Sequence, residues 1–173
     1  MTAQEKEILS KYCDSDLEFW DVFRENSDRI RRFCLSISKS RNDGEDLYSE
    51  VMIKTYDSYK SITNKQALLS FMFTIAVRTN NSLKNRLKRI THTDDDFEFL
   101  FSEDKGSEHY LDAKLLYEAL NTLGSMYKEA IILCDIEGFT YKEIAVIQKT
   151  SESNVKSRLK RGRKKLREIL EIK

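Results

Sequence analysis

The scarcity of turn-forming residues is the feature that most constrains the fold. The chain of 173 residues has no proline and only five glycines. Sheet-rich folds need frequent tight turns, and proline and glycine form many of them. Long helices with few breaks need neither residue. Hydrophobic residues make up 40% of the chain and charged residues 34%, which suits helical units with charged outer faces. We therefore predict an all-α protein.

Charge is distributed unevenly along the chain, although the formal net charge is only +1. Residues 78–89 and 156–167 carry basic side chains and no acidic ones, whereas residues 91–110 are predominantly acidic. We interpret the acidic stretch as a linker between two small helical domains, residues 1–90 and 111–173. The two basic segments predict contact with an anionic partner.

Several kinds of site are not expected from the sequence. The three cysteines, Cys13, Cys34 and Cys134, are isolated and lack CxxC spacing, so neither a zinc site nor a disulfide framework is predicted. Both histidines, His92 and His109, lie in the predicted linker, and no nucleophile–base pair or glycine-rich phosphate loop is visible. We therefore expect no catalytic residue, no metal and no cofactor. No apolar run approaches a membrane span, so we expect a cytoplasmic protein.

The N-terminal domain is predicted to contain three helices. The first begins near residue 14 and carries an apolar stripe at mostly helical spacing, namely Leu17, Trp20, Phe23, Ile30, Phe33 and Ile37. The second is expected to begin at Asp43 as N-cap, with acidic residues in its first turn. The third spans about residues 65–89. Its first half is apolar and its second half basic, which predicts burial of one half and an anionic partner for the other.

The C-terminal domain contains the pattern that points most directly to function. Four helices are predicted from residue 111 onward, with Ser125 capping the second. Thr140 and Glu143 form a T-x-x-E capping box that opens the third helix. A tight turn near Lys149 leads to a long basic helix capped by Ser151, whose inner side carries Val155, Leu159, Leu166 and Leu170. This arrangement predicts a helix-turn-helix, whose second helix enters the major groove of DNA.

Residues on that fourth helix are the candidate DNA contacts. Near its start, four side chains would reach base edges, namely Ser153, Asn154, Ser157 and Arg158. Arg158 could pair bidentately with guanine, and Asn154 with adenine. The basic side chains are better placed for phosphates, namely Lys156, Lys160, Arg161, Arg163, Lys164 and Lys165. The alternative, a solvated basic helix without a partner, is less favoured because the helix follows a capped helix and turn.

Residues 119–170 resemble region 4 of bacterial sigma factors of the extracytoplasmic-function (ECF) type. The matching motifs are Ala119-Leu120 with Leu123, Glu137-Gly138, Thr140-Tyr141, Glu143-Ile144-Ala145 and Val155-Lys156-Ser157-Arg158-Leu159. Region 4 of the family reads the minus-35 promoter element. The resemblance therefore implies minus-35 contacts from Ser153, Asn154, Lys156, Ser157, Arg158, Lys160, Arg161 and Lys164.

The N-terminal half is similar to region 2 of the same family. Asp46-Leu47 and Glu50-Val51 resemble its D-L-x-x-E-V helix, which docks on the clamp helices of the polymerase β′ subunit, and this implies core binding by Glu45, Asp46 and Glu50. The segment from Phe73 to Ala76 resembles its F-T-I-A sequence, which begins the minus-10 helix. The implied minus-10 contacts are Ser61, Asn64, Lys65, Arg78 and Lys84. Tyr56 and Tyr59 are candidates to receive an unstacked base, although either could equally be a core residue.

The resemblance implies a dissociable initiation subunit without catalytic residues of its own. Its implied partners are core RNA polymerase, through the β′ clamp helices and the β flap, and promoter DNA, with an anti-sigma factor as an open option. The chain departs from the family pattern in three places. Gly124-Ser125 stand where proline is usual, and Lys149 stands where glycine is common. Val77, Arg78 and Ser82 occupy the stretch where the family usually has R-N and a downstream aspartate.

Two other classes of function remain open at this point. One is a stand-alone helix-turn-helix regulator that binds operator DNA without polymerase. The other is a helical adaptor whose basic helix binds an acidic protein.

Overall fold

The computed structural model describes residues 14–59, 61–62, 67–87 and 108–171. Every regular element in these ranges is a helix, which confirms the all-α prediction. The N-terminal domain contains α1 (Asp14–Ile37), α2 (Arg41–Tyr59) and α3 (Leu68–Leu87). The C-terminal domain contains α4 (Glu108–Asn121), α5 (Ser125–Ile131), α6 (Tyr141–Ile147) and α7 (Glu152–Glu171). Helix α4 begins inside the segment predicted as linker, while residues 88–107 lie outside the described ranges.

The N-terminal domain is a three-helix unit in which α2 packs on both α1 and α3. Of the predicted apolar stripe on α1, Phe23, Ile30, Phe33 and Ile37 are buried. The placement of Trp20 in that stripe is wrong, because its side chain is 38% exposed. The adjacent Phe19 takes the core position instead, since a single step along a helix rotates a side chain by about 100°.

Two of the predicted helix caps are also wrong. Helix α2 begins before Asp43, and the backbone N–H of Asp43 donates to Ser40 Oγ at 3.2 Å, so the Ser40 hydroxyl satisfies a first-turn amide. Ser125 lies within α5, and the cap position is Gly124, which makes no side-chain cap hydrogen bond. In both cases the helix begins earlier than predicted, directly after Ser40 for α2 and directly after Gly124 for α5.

The capping box of α6 is confirmed in full. The backbone N–H of Glu143 donates to Thr140 Oγ1 at 3.3 Å, and the N–H of Thr140 donates to Glu143 Oε2 at 2.8 Å. The Thr140 hydroxyl also donates to Glu143 Oε2 at 2.6 Å, and this hydrogen bond, together with the one from the Thr140 N–H, lowers the pKa of the Glu143 carboxyl. The start of the helix-turn-helix is therefore specified by local sequence.

Helix α5 continues into one wider, π-helical turn, Ile132–Ile136. Within it the N–H of Glu137 donates to the carbonyl of Ile132 at 2.9 Å, five residues back. The element ends at Ile136, and two residues later Gly138 has a φ of 74°, which glycine readily adopts. This turn brings Glu137 and Phe139 to the surface of the N-terminal domain.

Helix α7 packs on α5, α6 and α4 through one apolar side. Val155 and Leu159 are buried as predicted, and Leu166 is partly buried against the core. The inward placement of Leu170 is wrong, because that side chain is 40% exposed and Ile169 packs on the core instead. The opposite side of α7 carries the basic residues.

The two domains contact each other through α3 with α6 and α1 with α5. Their buried apolar residues form one continuous cluster, in which Phe73 of α3 lies against Phe139 of the loop before α6. The region that carries the predicted minus-10 residues therefore lies beside the helix-turn-helix.

Candidate nucleic-acid interface

The turn between α6 and α7 has the tight geometry that the sequence predicts. Lys149 adopts a φ of 47°, in the left-handed region, and the N–H of Thr150 donates to the carbonyl of Ala145 at 2.9 Å. Ser151 caps α7 as predicted, since its Oγ accepts from the N–H of Asn154 at 3.2 Å. These contacts fix the direction in which α7 leaves the turn.

The exposed side of α7 contains most of the predicted minus-35 residues. Seven of the eight are exposed, namely Ser153, Asn154, Lys156, Ser157, Lys160, Arg161 and Lys164. The side-chain amide of Asn154 donates to Thr150 Oγ1 at 3.0 Å, so this residue is oriented from within the turn. The structure therefore assembles one continuous polar and basic surface.

A basic groove of about 470 Å³ runs beside this surface. Arg163 pairs with Asp135, with Nε 3.0 Å from Oδ2, and this hydrogen bonding raises the pKa of the arginine. The other polar residues that line the groove are Tyr141, Lys156, Lys160, Lys164 and Arg167. A lining of this composition suits phosphate oxygens.

Arg158 is the eighth predicted residue, and its environment differs. It is half-buried, and its Nη1 donates to Gln148 Oε1 at 2.9 Å. The other end of the Gln148 amide donates from Nε2 to the carbonyl of Met126 at 3.2 Å. Arg158 also interacts electrostatically with Glu129, a buried residue whose pKa is raised by desolvation and partly lowered by nearby cations. The side chain thus belongs to a network inside the domain.

The predicted minus-10 residues lie in contrasting environments. Ser61 is exposed, and its hydroxyl donates to the carbonyl of Ser58 at 2.7 Å. Arg78 is exposed on α3, whereas Lys84 is half-buried. The Lys84 ammonium donates to the carbonyl of Ile37 at 3.2 Å and lies 4.0 Å from Glu129 Oε1. Asn64 and Lys65 lie outside the described residues.

The two tyrosines near the loop after α2 have different environments. Tyr59 is 3% exposed, with its ring 5.2 Å from that of Phe19, so it is a core residue. Tyr56 is 37% exposed and stacks on Trp20 at 6.2 Å. Of the two, Tyr56 is the one accessible from solution.

The three predicted core-polymerase residues share the first half of α2. Arg31 makes two hydrogen bonds to the Glu45 carboxylate. Its Nε donates to Oε2 at 2.9 Å, and its Nη2 donates to Oε1. Glu50 pairs with Lys54 at 2.6 Å one turn further along the helix. Asp46 lies between them and is exposed. The cluster therefore presents the Asp46 carboxylate, with two flanking carboxylates already engaged within the chain.

Sequence reasoning missed the residues that join the two domains. Arg29 of α1 and Glu137 of the C-terminal domain are 108 positions apart in the chain, and their side chains contact at 2.6 Å. It also missed Gln148 and Glu129 as partners of Arg158. The sequence contained no local signal for these contacts, because each joins residues that are distant in the chain or hidden in an apolar helix.

Two absences hold for the part of the chain that the structure describes. In it, no cluster of three or more histidine, cysteine or acidic side chains is arranged to hold a metal ion. None of the helices in the same ranges combines the length and apolarity that a membrane span requires.

Comparison with known proteins extends these observations. Residues 22–93 match the family model for sigma-70 region 2, and residues 113–166 match that for sigma-70 region 4. The chain is 36% identical to RNA polymerase sigma factor SigV of Bacillus subtilis, over 79% of this chain and 81% of that protein. It is 32% identical to the ECF sigma factor SigE of Mycolicibacterium smegmatis, over 87% of this chain but only 61% of that relative's length.

A solved structure has the same two-domain fold. The sigma factor RpoE of Bartonella quintana, crystallised with the anti-sigma factor NepR, superposes with a TM-score of 0.79 at 26% identity. The match covers 90% of this chain and 98% of that one.

Proposed function

Because the chain belongs to the extracytoplasmic-function group of the sigma-70 family and is an RNA polymerase sigma factor, we propose how its parts divide the work. Residues 1–90 bind core polymerase and the minus-10 element. Residues 111–173 bind the minus-35 element, and residues 91–110 link the two domains.

The minus-35 element is bound by the exposed side of α7. This assignment is supported by the capped turn, which directs α7 outward, and by the seven exposed residues that share one side of that helix. The residues in the first turns, Ser153, Asn154 and Ser157, approach base edges. Lys156, Lys160, Arg161 and Lys164 contact phosphates and the groove edge. Arg158 holds α7 in position from within the domain, through Gln148.

The minus-10 element is bound by the second half of α3 and the loop before it. Arg78 is exposed and available to a phosphate. Lys84 engages DNA only after it leaves Glu129, and Ser61, Asn64 and Lys65 contribute from the loop. Tyr56 is the aromatic surface on which an unstacked base would lie, since base–aromatic stacking needs an accessible ring.

Core polymerase is bound through the acidic cluster of α2. Asp46 makes the central contact with the β′ clamp helices, and Glu45 and Glu50 support it from either side. The C-terminal domain contacts the β flap. A protein with this role carries no catalytic centre, because the polymerase synthesises the RNA, and it acts in the cytoplasm where polymerase and template are found. By analogy with the Bartonella protein, an anti-sigma factor is a candidate regulatory partner.

The single observation that carries the proposal is the presence of both sigma-70 regions in family order, with an exposed recognition helix in the second. The test is in vitro transcription on a promoter library, comparing core polymerase alone with core plus this protein. New start sites that require the protein support the proposal. Specific DNA binding by the protein alone, without new start sites, would favour a stand-alone regulator.

A further inference from the structure

We propose that Gln148 is a specificity-determining residue of the minus-35 surface, because it holds Arg158 against the domain and so keeps one base pair of the element unread. Gln148 acts through Arg158 and is therefore a positioning residue rather than a DNA contact. The consequence for DNA rests on the proposed function, whereas the hold on Arg158 is a property of the free protein. Removal of Gln148 should add a base preference, which a purely structural role for this residue would not produce.

The backbone and the side chain of Gln148 are both fixed. Its backbone N–H donates to the carbonyl of Ile144 at 2.8 Å and ends α6, and the turn that follows contains Lys149 at its left-handed φ. Its side-chain Nε2 donates to the carbonyl of Met126 at 3.2 Å. The other amide atom, Oε1, is thereby oriented as an acceptor, and Arg158 Nη1 donates to it at 2.9 Å.

A buried carboxylate adds to the hold on Arg158. Glu129 is 3% exposed, and burial raises the pKa of its carboxyl. Among the groups that counteract this effect are Lys84, a hydrogen bond with the Gln148 side chain and the charge of Arg158. A guanidinium that moved from this position to DNA would give up a hydrogen bond and leave a buried carboxylate with less compensation. Both costs favour the inward position in the free protein.

Arg158 lies at the edge of the exposed side of α7. Asn154 is four residues before it and Arg161 three residues after it, and side chains at these spacings share one face of a helix. Both neighbours are exposed, whereas Arg158 is half-buried beside the core residues Val155 and Leu159. A released and extended arginine at this position would therefore lie next to the base edges that Asn154 approaches.

The chemical choice for Arg158 is between one amide oxygen inside the protein and two acceptors on a base edge. Guanine presents O6 and N7 in the major groove, and an arginine that binds both discriminates against the other bases. The Arg158 side chain does not extend to a base edge while Nη1 stays on Gln148, because that contact turns it toward α5. The side chain at position 148 thus decides whether Arg158 contributes sequence specificity.

Replacement of Gln148 by methionine provides the decisive variant. Methionine has a similar length and fills the same space, so Arg158 loses its acceptor without gaining a path to Glu129. The carbonyl of Met126 loses a donor, but water replaces it because Met126 is 49% exposed. Gln148→Glu is the matched control, since its carboxylate keeps an acceptor for Arg158. Circular dichroism and urea denaturation show whether each variant is folded.

The hold on Arg158 is measured first, in the free full-length protein. Nuclear magnetic resonance of isotope-labelled arginine side chains reports the mobility of each guanidinium, and the signal of Arg158 is assigned by its loss in Arg158→Ala. This side chain should be rigid in the parent and in Gln148→Glu, and mobile in Gln148→Met. An Arg158 that is mobile in the parent would overturn the proposal. So would an equally rigid Arg158 in a folded Gln148→Met protein.

In vitro transcription with core polymerase, on a promoter library randomised over the minus-35 element, then measures base preference. Gln148→Met should prefer guanine at one further base pair, by roughly fivefold or more, and the added change Arg158→Ala should abolish that preference. The parent and Gln148→Glu should lack it. Unchanged preferences in a Gln148→Met protein with a mobile Arg158 would refute the specificity role. A parent protein that supports no start sites would refute the proposed function, and the measured mobility would still decide whether Gln148 holds Arg158.

Discussion

Arg158 Nη1 donates a hydrogen bond to Gln148 Oε1 across 2.9 Å, and this contact ties the second turn of α7 to the turn that precedes the helix. Gln148 is itself anchored on the carbonyl of Met126 in α5. One amide side chain therefore links three helices of the C-terminal domain. The first turn of α7 remains exposed beside this network.

Arg158→Ala should lower the free energy of unfolding by about 1–3 kcal/mol, because Gln148 loses its donor and the buried Glu129 loses a nearby cation. Affinity for minus-35 DNA should fall by a similar factor on every sequence. Urea denaturation and binding to a set of single-base-pair variants measure the two effects. Arg161→Ala, at an exposed position, is the control and should weaken binding without loss of stability. A loss confined to one base pair, with stability unchanged, would instead support guanine reading by Arg158.

Asp46→Arg should weaken binding to core polymerase by roughly tenfold or more, because an arginine at the centre of the acidic cluster would repel a basic partner surface. The fold should be kept, because the Asp46 side chain is exposed. The matched control is Asp57→Arg, which makes the same change at an exposed position later on α2. Fluorescence titration with core polymerase measures both. Equal affinities for the two variants would remove Asp46 from the interface.

Gly44→Ala should destabilise the N-terminal domain by about 1–3 kcal/mol, because helices α1 and α2 approach closely at this residue. An added Cβ would lie 2.8 Å from Leu35 Cα and 2.7 Å from Leu35 Cδ2, and the backbone atom cannot move aside locally. Gly124→Ala is the control, since its Cβ would lie at an ordinary 3.6 Å from Tyr127. Chemical denaturation measures the free energy of unfolding of both variants. Equal values for Gly44→Ala and Gly124→Ala would contradict the close approach of α1 and α2.

Lys149→Gly should stabilise the helix-turn-helix by about 1 kcal/mol. The turn holds this residue at a φ of 47°, and this backbone conformation is higher in free energy for a residue with a Cβ than for glycine. Lys149→Ala removes the same charge without relieving the backbone, so the difference between the two variants isolates the conformational effect. Thermal unfolding measures it. The prediction fails if alanine and glycine are equally stable at this position.

Lys128 should make stability depend on pH in the alkaline range. Burial, and then the nearby charge of Lys84, lower its pKa from 10.5 to about 8. Between about pH 8 and pH 10.5 the lysine is neutral in the folded protein but protonated in the unfolded chain. The free energy of unfolding therefore has its full value above about pH 10.5 and decreases as the pH falls towards about 8. Stability measured relative to Lys128→Met should therefore rise between pH 8 and 10. A constant difference between the two proteins over that interval would contradict the predicted shift.

The local features of this protein were predictable because residues close in sequence determine them. The capping box at Thr140 and Glu143, the Ser151 cap and the turn at Lys149 each depend on hydrogen bonds or backbone angles within a few residues. The all-α class followed from composition, and the helix-turn-helix pattern and family resemblance located residues that the structure places on the exposed side of α7. These features agree with the structure because short-range geometry leaves few alternatives.

Tertiary structure decided what local pattern could not. Burial of Phe19 rather than Trp20, and the half-buried position of Arg158, depend on how each helix is rotated against its neighbours. The contact of Arg29 with Glu137 depends on a π-helical turn and on the docking of two domains, which bring together residues 108 positions apart. The sequence by itself thus determined the helices and the binding motif. Only packing, which optimises burial over the whole chain, determined which charged groups of α7 are exposed and which hold the two domains together.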